Sequence, residues 1–142
     1  MGDLLLQKSL RLRERIAKLR AALAAEPTLL DAISRDEHLE AFLAFNLFLA
    51  IQDAVDLAAH VVSAHGLAIP ATQREVFEAL ARGGRLSTDA SVAMGALASL
   101  RNRIAHSYGD LDIKRLVTEM PHGLDHLERF VTELTPSLLT TP

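Results

Sequence analysis

Eight consecutive residues, "RNRIAHSY", bring together side chains that suit acid–base or phosphate chemistry. They include Arg101, Asn102, Arg103, His106 and Tyr108, the last being the chain's single tyrosine. A guanidinium offers a fixed fork of donors that fits a phosphate, and an imidazole titrates near neutrality. Asn102 and His106, at i and i+4, share a helix face, so the amide would orient the ring while Arg101 reaches round from the side. Arg101 and His106 are five residues apart, which rotates them by roughly 140° from each other on a helix. One regular helix does not aim both at one point. A helix that unwinds after Ala105 would, and so would two copies of the motif facing across a two-fold axis. The same residues also fit a plain charged helix end, because cations near a helix C-terminus complement its dipole.

A second polar group interrupts a long apolar segment. Asp53, Asp56 and His60 follow the spacing i, i+3, i+7 and so line one helix face, next to Gln52. Three ligands on one helix rarely close a metal site, so no metal is expected there. The expected role is support: these groups meet the motif helix inside the bundle, with an aspartate pairing Arg101 or holding His106. His122 and His126, at i and i+4, read as a solvated face, and His38 and His65 fall at helix ends. Glycine-rich phosphate loops, a Ser-His-Asp order and nucleotide-binding fingerprints are absent from the sequence.

The elements that must position these residues all read as helices, because apolar residues recur at three and four and no stretch alternates as a strand would. The first helix is expected over residues 3–25, with Leu5, Leu12, Ile16, Leu19 and Leu23 as its apolar stripe and Lys8, Arg11, Arg15 and Lys18 largely off it. Pro27 is expected to end it. A short helix over "TLLDAISR" leads to a long one, "EHLEAFLAFNLFLAIQDAVDLAAHVVSAHG", closed by Gly66. Its middle, from Phe42 to Ile51, is apolar on nearly every side and predicts the buried central helix. Thr72 and Glu75 form a capping box for a short helix to Ala81. "RGG" breaks that helix, and Ser87 or Thr88 caps the next, which carries the motif. Gly109 is expected to let the chain leave the helix with the Tyr108 hydroxyl at the surface. A last helix is expected from Asp110 or Asp112 to about Leu134, kinked or split at Pro121, with a frayed tail after Thr135.

Composition bounds the rest. A length of 142 residues with 49% hydrophobic content predicts one domain, residues 1–142, with no linker or repeat. The chain has no cysteine, which removes disulfides and thiolate chemistry and suits the cytoplasm. The N-terminus lacks the order of a secretory signal, and no uninterrupted apolar run reaches the roughly 18 residues of a membrane span, so no membrane is expected as a partner. A net charge of −3 gives no general attraction to polyanions, so contact with nucleic acid needs a local cationic site.

"RNRIAHSYGDLD" resembles the Arg-x4-His-x-Tyr signature of the HepT toxins, a branch of the HEPN superfamily of helical ribonucleases, with Arg101, His106 and Tyr108 on the signature positions. Asn102 falls on the polar position that often follows the arginine. The stretch "AIQDAVDLAAHVVSAHGLAIPATQREVFEALARGGRLS" is also similar to HepT in order: a long helix with Gln-Asp, a proline loop, a short helix and a glycine turn. The resemblance covers roughly residues 40–120 and implies an all-α, up-and-down HEPN-like bundle with short additional helices. It implies an endoribonuclease that needs neither metal nor other cofactor, acting on RNA as a homodimer. Arg101 and His106 would be catalytic, with Asn102, Asp53 and Asp56 supporting them. It further implies a partner, an MNT-type nucleotidyltransferase antitoxin that transfers AMP to Tyr108. The alternative from another class is a non-catalytic HEPN-type dimer serving as a binding or regulatory module.

Overall fold

The computed structural model describes residues 2–25, 28–67 and 69–140, with side chains from residue 4 onward. Among the described residues there are six α-helices and one 3-10 turn, and no strand. They are α1 (Gly2–Ala24), α2 (Leu29–Arg35), α3 (Glu37–Ala64), α4 (Gln73–Arg82), α5 (Thr88–His106) and α6 (Ile113–Leu139), with the turn at Tyr108–Asp110. Pro27, expected to end the first helix, lies outside the described residues.

Helix boundaries follow the local chemistry. Asp36 caps α3 by accepting from the His38 and Leu39 amides, and Ser87 caps α5 by accepting from Ala90. Thr72 caps α4, while Glu75 reaches back to the Ala71 amide at 2.9 Å, one residue beyond the partner of a standard capping box. At the far ends, Gly66 (φ 64°) closes α3 and Gly84 (φ 72°) closes α4. In each, the next amide returns to a carbonyl five residues back, Leu67 to Val62 and Arg85 to Leu80, the double turn that only a left-handed residue completes.

Four long helices alternate in direction, as cross-helix pairs establish. Arg15 meets Asp53 and Lys8 meets His60, so α1 and α3 are antiparallel. Phe48 meets Arg101 and Glu40 meets Tyr108, so α3 and α5 are antiparallel as well. Ser87, at the head of α5, binds Glu133 near the tail of α6. This is the all-α, up-and-down bundle expected, with α2 and α4 as the short additions. α3 touches every other helix and buries Leu43, Leu47, Ile51, Leu57 and Val61 completely or nearly so. Over an 18-residue window its mean hydropathy is 1.5, enough by length and composition to cross a membrane, although Asn46, Gln52, Asp53 and Asp56 interrupt its apolar run. Its apolar side chains instead form the centre of the core, where about 25 cal/mol per Å² of buried apolar area stabilises the bundle.

α6 departs from expectation twice. It is not split at Pro121, and it runs past Thr135 and through Pro136 to Leu139. Met120 and Leu124 on either side of Pro121, and Leu134 and Leu138 around Pro136, are buried, so packing outweighs the roughly 3 kcal/mol that an interior proline costs. The tail is also tied by hydrogen bonds: His65 Nε2 lies 3.2 Å from the Ser137 carbonyl, and Arg85 donates to Ser137 Oγ. Because Leu138 is fully buried, Leu138→Ala should destabilise the protein by about 2–5 kcal/mol. Urea unfolding checks this. A loss within about 0.5 kcal/mol would restore the frayed tail.

Candidate active site

α5 carries the motif residues and fixes their directions, because it remains helical through His106 and ends at Ser107 (φ −139°, ψ 32°). The expected unwinding after Ala105 does not occur. Ser107, a poor helix interior residue, donates its amide to the Arg103 carbonyl, and the chain then makes a single 3-10 turn before Asp112 caps α6 by accepting from Arg115. Gly109 is not the device that was expected: its φ is not positive and a Cβ there would meet nothing within 4 Å. The exit is made by Ser107 and the Asp112 cap.

Arg101 lies against α3. Its guanidinium carbon sits 5.0 Å from the centre of the Phe48 ring, and Nη1 donates to Asn102 Oδ1 at 2.8 Å. Its buried Nε has no hydrogen-bond partner, and no carboxylate pairs with it among the described residues. A cation held by stacking, worth about 0.5–2 kcal/mol, and by a neutral amide keeps its charge available to an incoming anion. Asn102 thus serves Arg101 rather than the imidazole it was expected to orient. His106 is exposed on the flank shared with Asn102, and no described residue hydrogen-bonds to its ring.

The aspartates expected to support the motif point elsewhere. Asp53 pairs with Arg15 of α1 at 3.2 Å, Asp56 accepts from Gln52 at 3.0 Å, and His60 lies 3.3 Å from Lys8. The rotation of α3 turns this face to the basic side of α1, whereas Phe48 and Glu40 meet α5. Asp53 therefore fastens α1 to α3, Asp56 is held by Gln52 of its own helix, and neither is hydrogen-bonded to Arg101 or His106. Among the described residues, no three histidine or acidic side chains stand close enough to hold a metal ion. His122 and His126 are exposed and line a groove of about 620 Å³ between α5 and α6, together with Arg103 and Arg115.

Tyr108 is 37% exposed, and its hydroxyl donates to Glu40 Oε1 at 2.8 Å. Burial of the ring and, after it, the hydrogen bond and charge of Glu40 push its pKa up to about 12. Sequence reasoning missed both α3 partners, Phe48 and Glu40. The signal was the antiparallel register: eight residues back along α3 from Phe48 match seven forward from Arg101. A raised folded pKa adds stability that is fully present below the ordinary value near 10 and is lost as pH rises from there through about 12. With no tryptophan and one tyrosine, phenolate absorbance reads this group alone. At pH 11 the native protein should be mostly un-ionised and Glu40→Ala measurably more ionised, while burial of the ring, the larger cause, keeps the variant short of the roughly nine-tenths ionisation of an ordinary tyrosine. Equal ionisation of the two proteins would show that Glu40 does not hold the proton.

Residues 12–134 match the family described as Ribonuclease HepT-like. The chain is 27% identical over 97 residues to the mRNA nuclease HepT of Shewanella oneidensis, covering 68% of this chain and 73% of that one. In three dimensions it is similar to a tri-AMPylated Shewanella oneidensis HEPN toxin solved in complex with an MNT antitoxin. That likeness has a TM-score of 0.84 at 22% identity and covers 96% of this chain and 99% of the other. A toxin–antitoxin crystal structure with AMP-PNP is equally similar, with a TM-score of 0.84 at 21% identity over 94% of this chain and 98% of that one. At these identities the structural likeness speaks for the fold, and the family match speaks for descent. With residues 12–134 of 142 matched, this chain belongs to the Ribonuclease HepT-like family.

Proposed function

We propose that the protein is a metal-independent endoribonuclease, the toxin of a HEPN/MNT toxin–antitoxin pair, acting in the cytoplasm and neutralised by AMP transfer to Tyr108. The observation that carries the reading is Arg101, a guanidinium stacked on Phe48 with no carboxylate to neutralise it, on the same helix end as an exposed His106. The names of the similar proteins, an mRNA nuclease and an AMPylated HEPN toxin with its MNT antitoxin, support the same assignment.

RNA cleavage of this kind begins when the 2′-hydroxyl attacks the adjacent phosphorus. His106 takes the proton of that hydroxyl or protonates the leaving 5′ oxygen, and Arg101, held by Asn102, stabilises the charge that develops on the phosphorane. One chain aims these two side chains apart, so the site is completed by a second copy whose histidine faces the same phosphate. The surface that such a copy would cover is on α3: Phe45 is 60% exposed and stacks on Phe48, beneath Arg101. The apolar stripes of α1 and α6 are buried, and among their described residues only Leu4, Leu10 and Leu139 stand out as large exposed hydrophobics. The unpartnered imidazole favours a second reading, a non-catalytic HEPN dimer that binds nucleotide or antitoxin without cleaving.

Expression of the protein alone, beside His106→Ala, separates the two. The wild type should arrest growth and cleave RNA in the presence of chelator, and the variant should lose about 10²-fold or more of that cleavage. Indistinguishable behaviour of the two proteins would favour the binding module. Tyr108→Phe should cleave RNA nearly as well as the wild type yet escape the nucleotidyltransferase, as mass spectrometry after co-expression would register. Abolished cleavage in Tyr108→Phe would instead make the tyrosine part of the cleaving machinery.

A further inference from the structure

The Glu40–Tyr108 pair spans 68 positions of sequence and joins the first turns of α3 to the 3-10 turn after the motif. Glu40 is half-buried at that end of α3, and of its two oxygens Oε1 accepts the phenol proton at 2.8 Å. Among the described residues, Glu40 is the hydrogen-bond partner of the Tyr108 hydroxyl, and no salt bridge ties that carboxylate to a lysine or arginine. A tyrosine that attacks phosphorus has to lose its proton on the way, and here that proton is held in a hydrogen bond to a carboxylate. A carboxylate already bonded to that proton resolves the difficulty, since it receives the proton as the new bond forms.

We propose that Glu40 is the general base for nucleotidyl transfer onto Tyr108 and also aims its hydroxyl. The inference rests on Tyr108 being the modified residue. In the step, Tyr108 Oη attacks the α-phosphorus of a nucleoside triphosphate bound by the antitoxin. The Oη–P bond forms, and the bond from that phosphorus to the bridging oxygen breaks. Pyrophosphate leaves with the electron pair, and the proton passes from Oη to Glu40 Oε1 and then to water. The product has no phenol hydrogen left to donate, and its phosphodiester charge faces the carboxylate, so the bond to Glu40 is broken and the nucleotide is turned away from α3. Glu40 thus favours the transfer and disfavours retention of the nucleotide against α3.

The test compares wild type, Glu40→Gln and Glu40→Asp as substrates of the purified MNT-type antitoxin with ATP, by initial rates of mass gain with peptide mapping, between about pH 6.5 and 9.5. Glutamine keeps an acceptor oxygen at the same place but cannot take the proton. Its kcat should fall about 100-fold near pH 7 with little change in KM for the toxin. The deficit should shrink by about tenfold per pH unit as ionised tyrosine accumulates without help, and aspartate should recover part of the loss. A Glu40→Gln kcat equal to wild type, or a loss confined to KM or constant across pH, overturns the role of Glu40. Should glutamine prevent folding, the kcat and pH dependence of Glu40→Asp decide in the same way. Wild-type protein carrying AMP on another residue, or none, overturns the assignment of Tyr108 itself and is recognised before any variant is compared.

Discussion

α3 imposes the constraint that the rest of the bundle meets. A 28-residue helix with apolar side chains on nearly every face must be enclosed, and the other five α-helices are arranged around it. Several polar groups of α3 meet a partner on another element: Asn46 and Asp53 with Arg15, His60 with Lys8, Glu40 with Tyr108. The exposed pairs contribute little individually, of order 0–1 kcal/mol. Their effect is on rotation, because they determine which side of α3 faces α1 and which faces α5. Once that rotation is set, Phe48 and Glu40 stand eight residues apart along the helix that supports the motif.

The motif takes its character from that support. Stacking on Phe48 lets Arg101 be half-buried without a carboxylate, and the helix end at Ser107 releases Tyr108 into a turn where α3 can reach its hydroxyl. Two opposite requirements meet within eight residues of chain. The arginine keeps its charge without a carboxylate partner, whereas the tyrosine proton is held by one. They are kept apart by the register of α3 and α5, which places the aromatic ring under one and the acid against the other. The divergence of Arg101 and His106 around α5 is equally a product of unbroken helix, and it is the reason a second chain is invoked.

Much of this was legible in the sequence. The 3.6-residue periodicity, the glycines at 66 and 84 and the caps at Thr72, Ser87 and Asp112 are local signals, and each element they mark is present. The end of α6 was not legible, because Pro136 and a terminal position both argue for fraying while the burial of Leu138 is a tertiary fact. The aspartates were misplaced for a related reason. Spacing shows that Asp53 and Asp56 share a face of α3, but not which neighbour that face meets; the basic residues left off the stripe of α1 were the clue. Phe48 and Glu40 look like one more core residue and one more helix-start acid until α5 is laid antiparallel against them. Resemblance to HepT identified Arg101, His106 and Tyr108 as the residues to follow, which periodicity alone did not.

Attack by a 2′-hydroxyl leaves a 2′,3′-cyclic phosphate on one fragment and a 5′-hydroxyl on the other, whereas hydrolysis by an activated water leaves a 5′- or 3′-monophosphate directly. End-group analysis of RNA cut by the purified protein in chelator therefore reads the chemistry assigned to Arg101 and His106 more directly than any rate. Cyclic phosphate and 5′-hydroxyl ends, produced by the wild type and missing with His106→Ala, are the predicted result. Fragments bearing 5′-phosphate and 3′-hydroxyl ends, or cyclic ends formed equally by the variant, would contradict it.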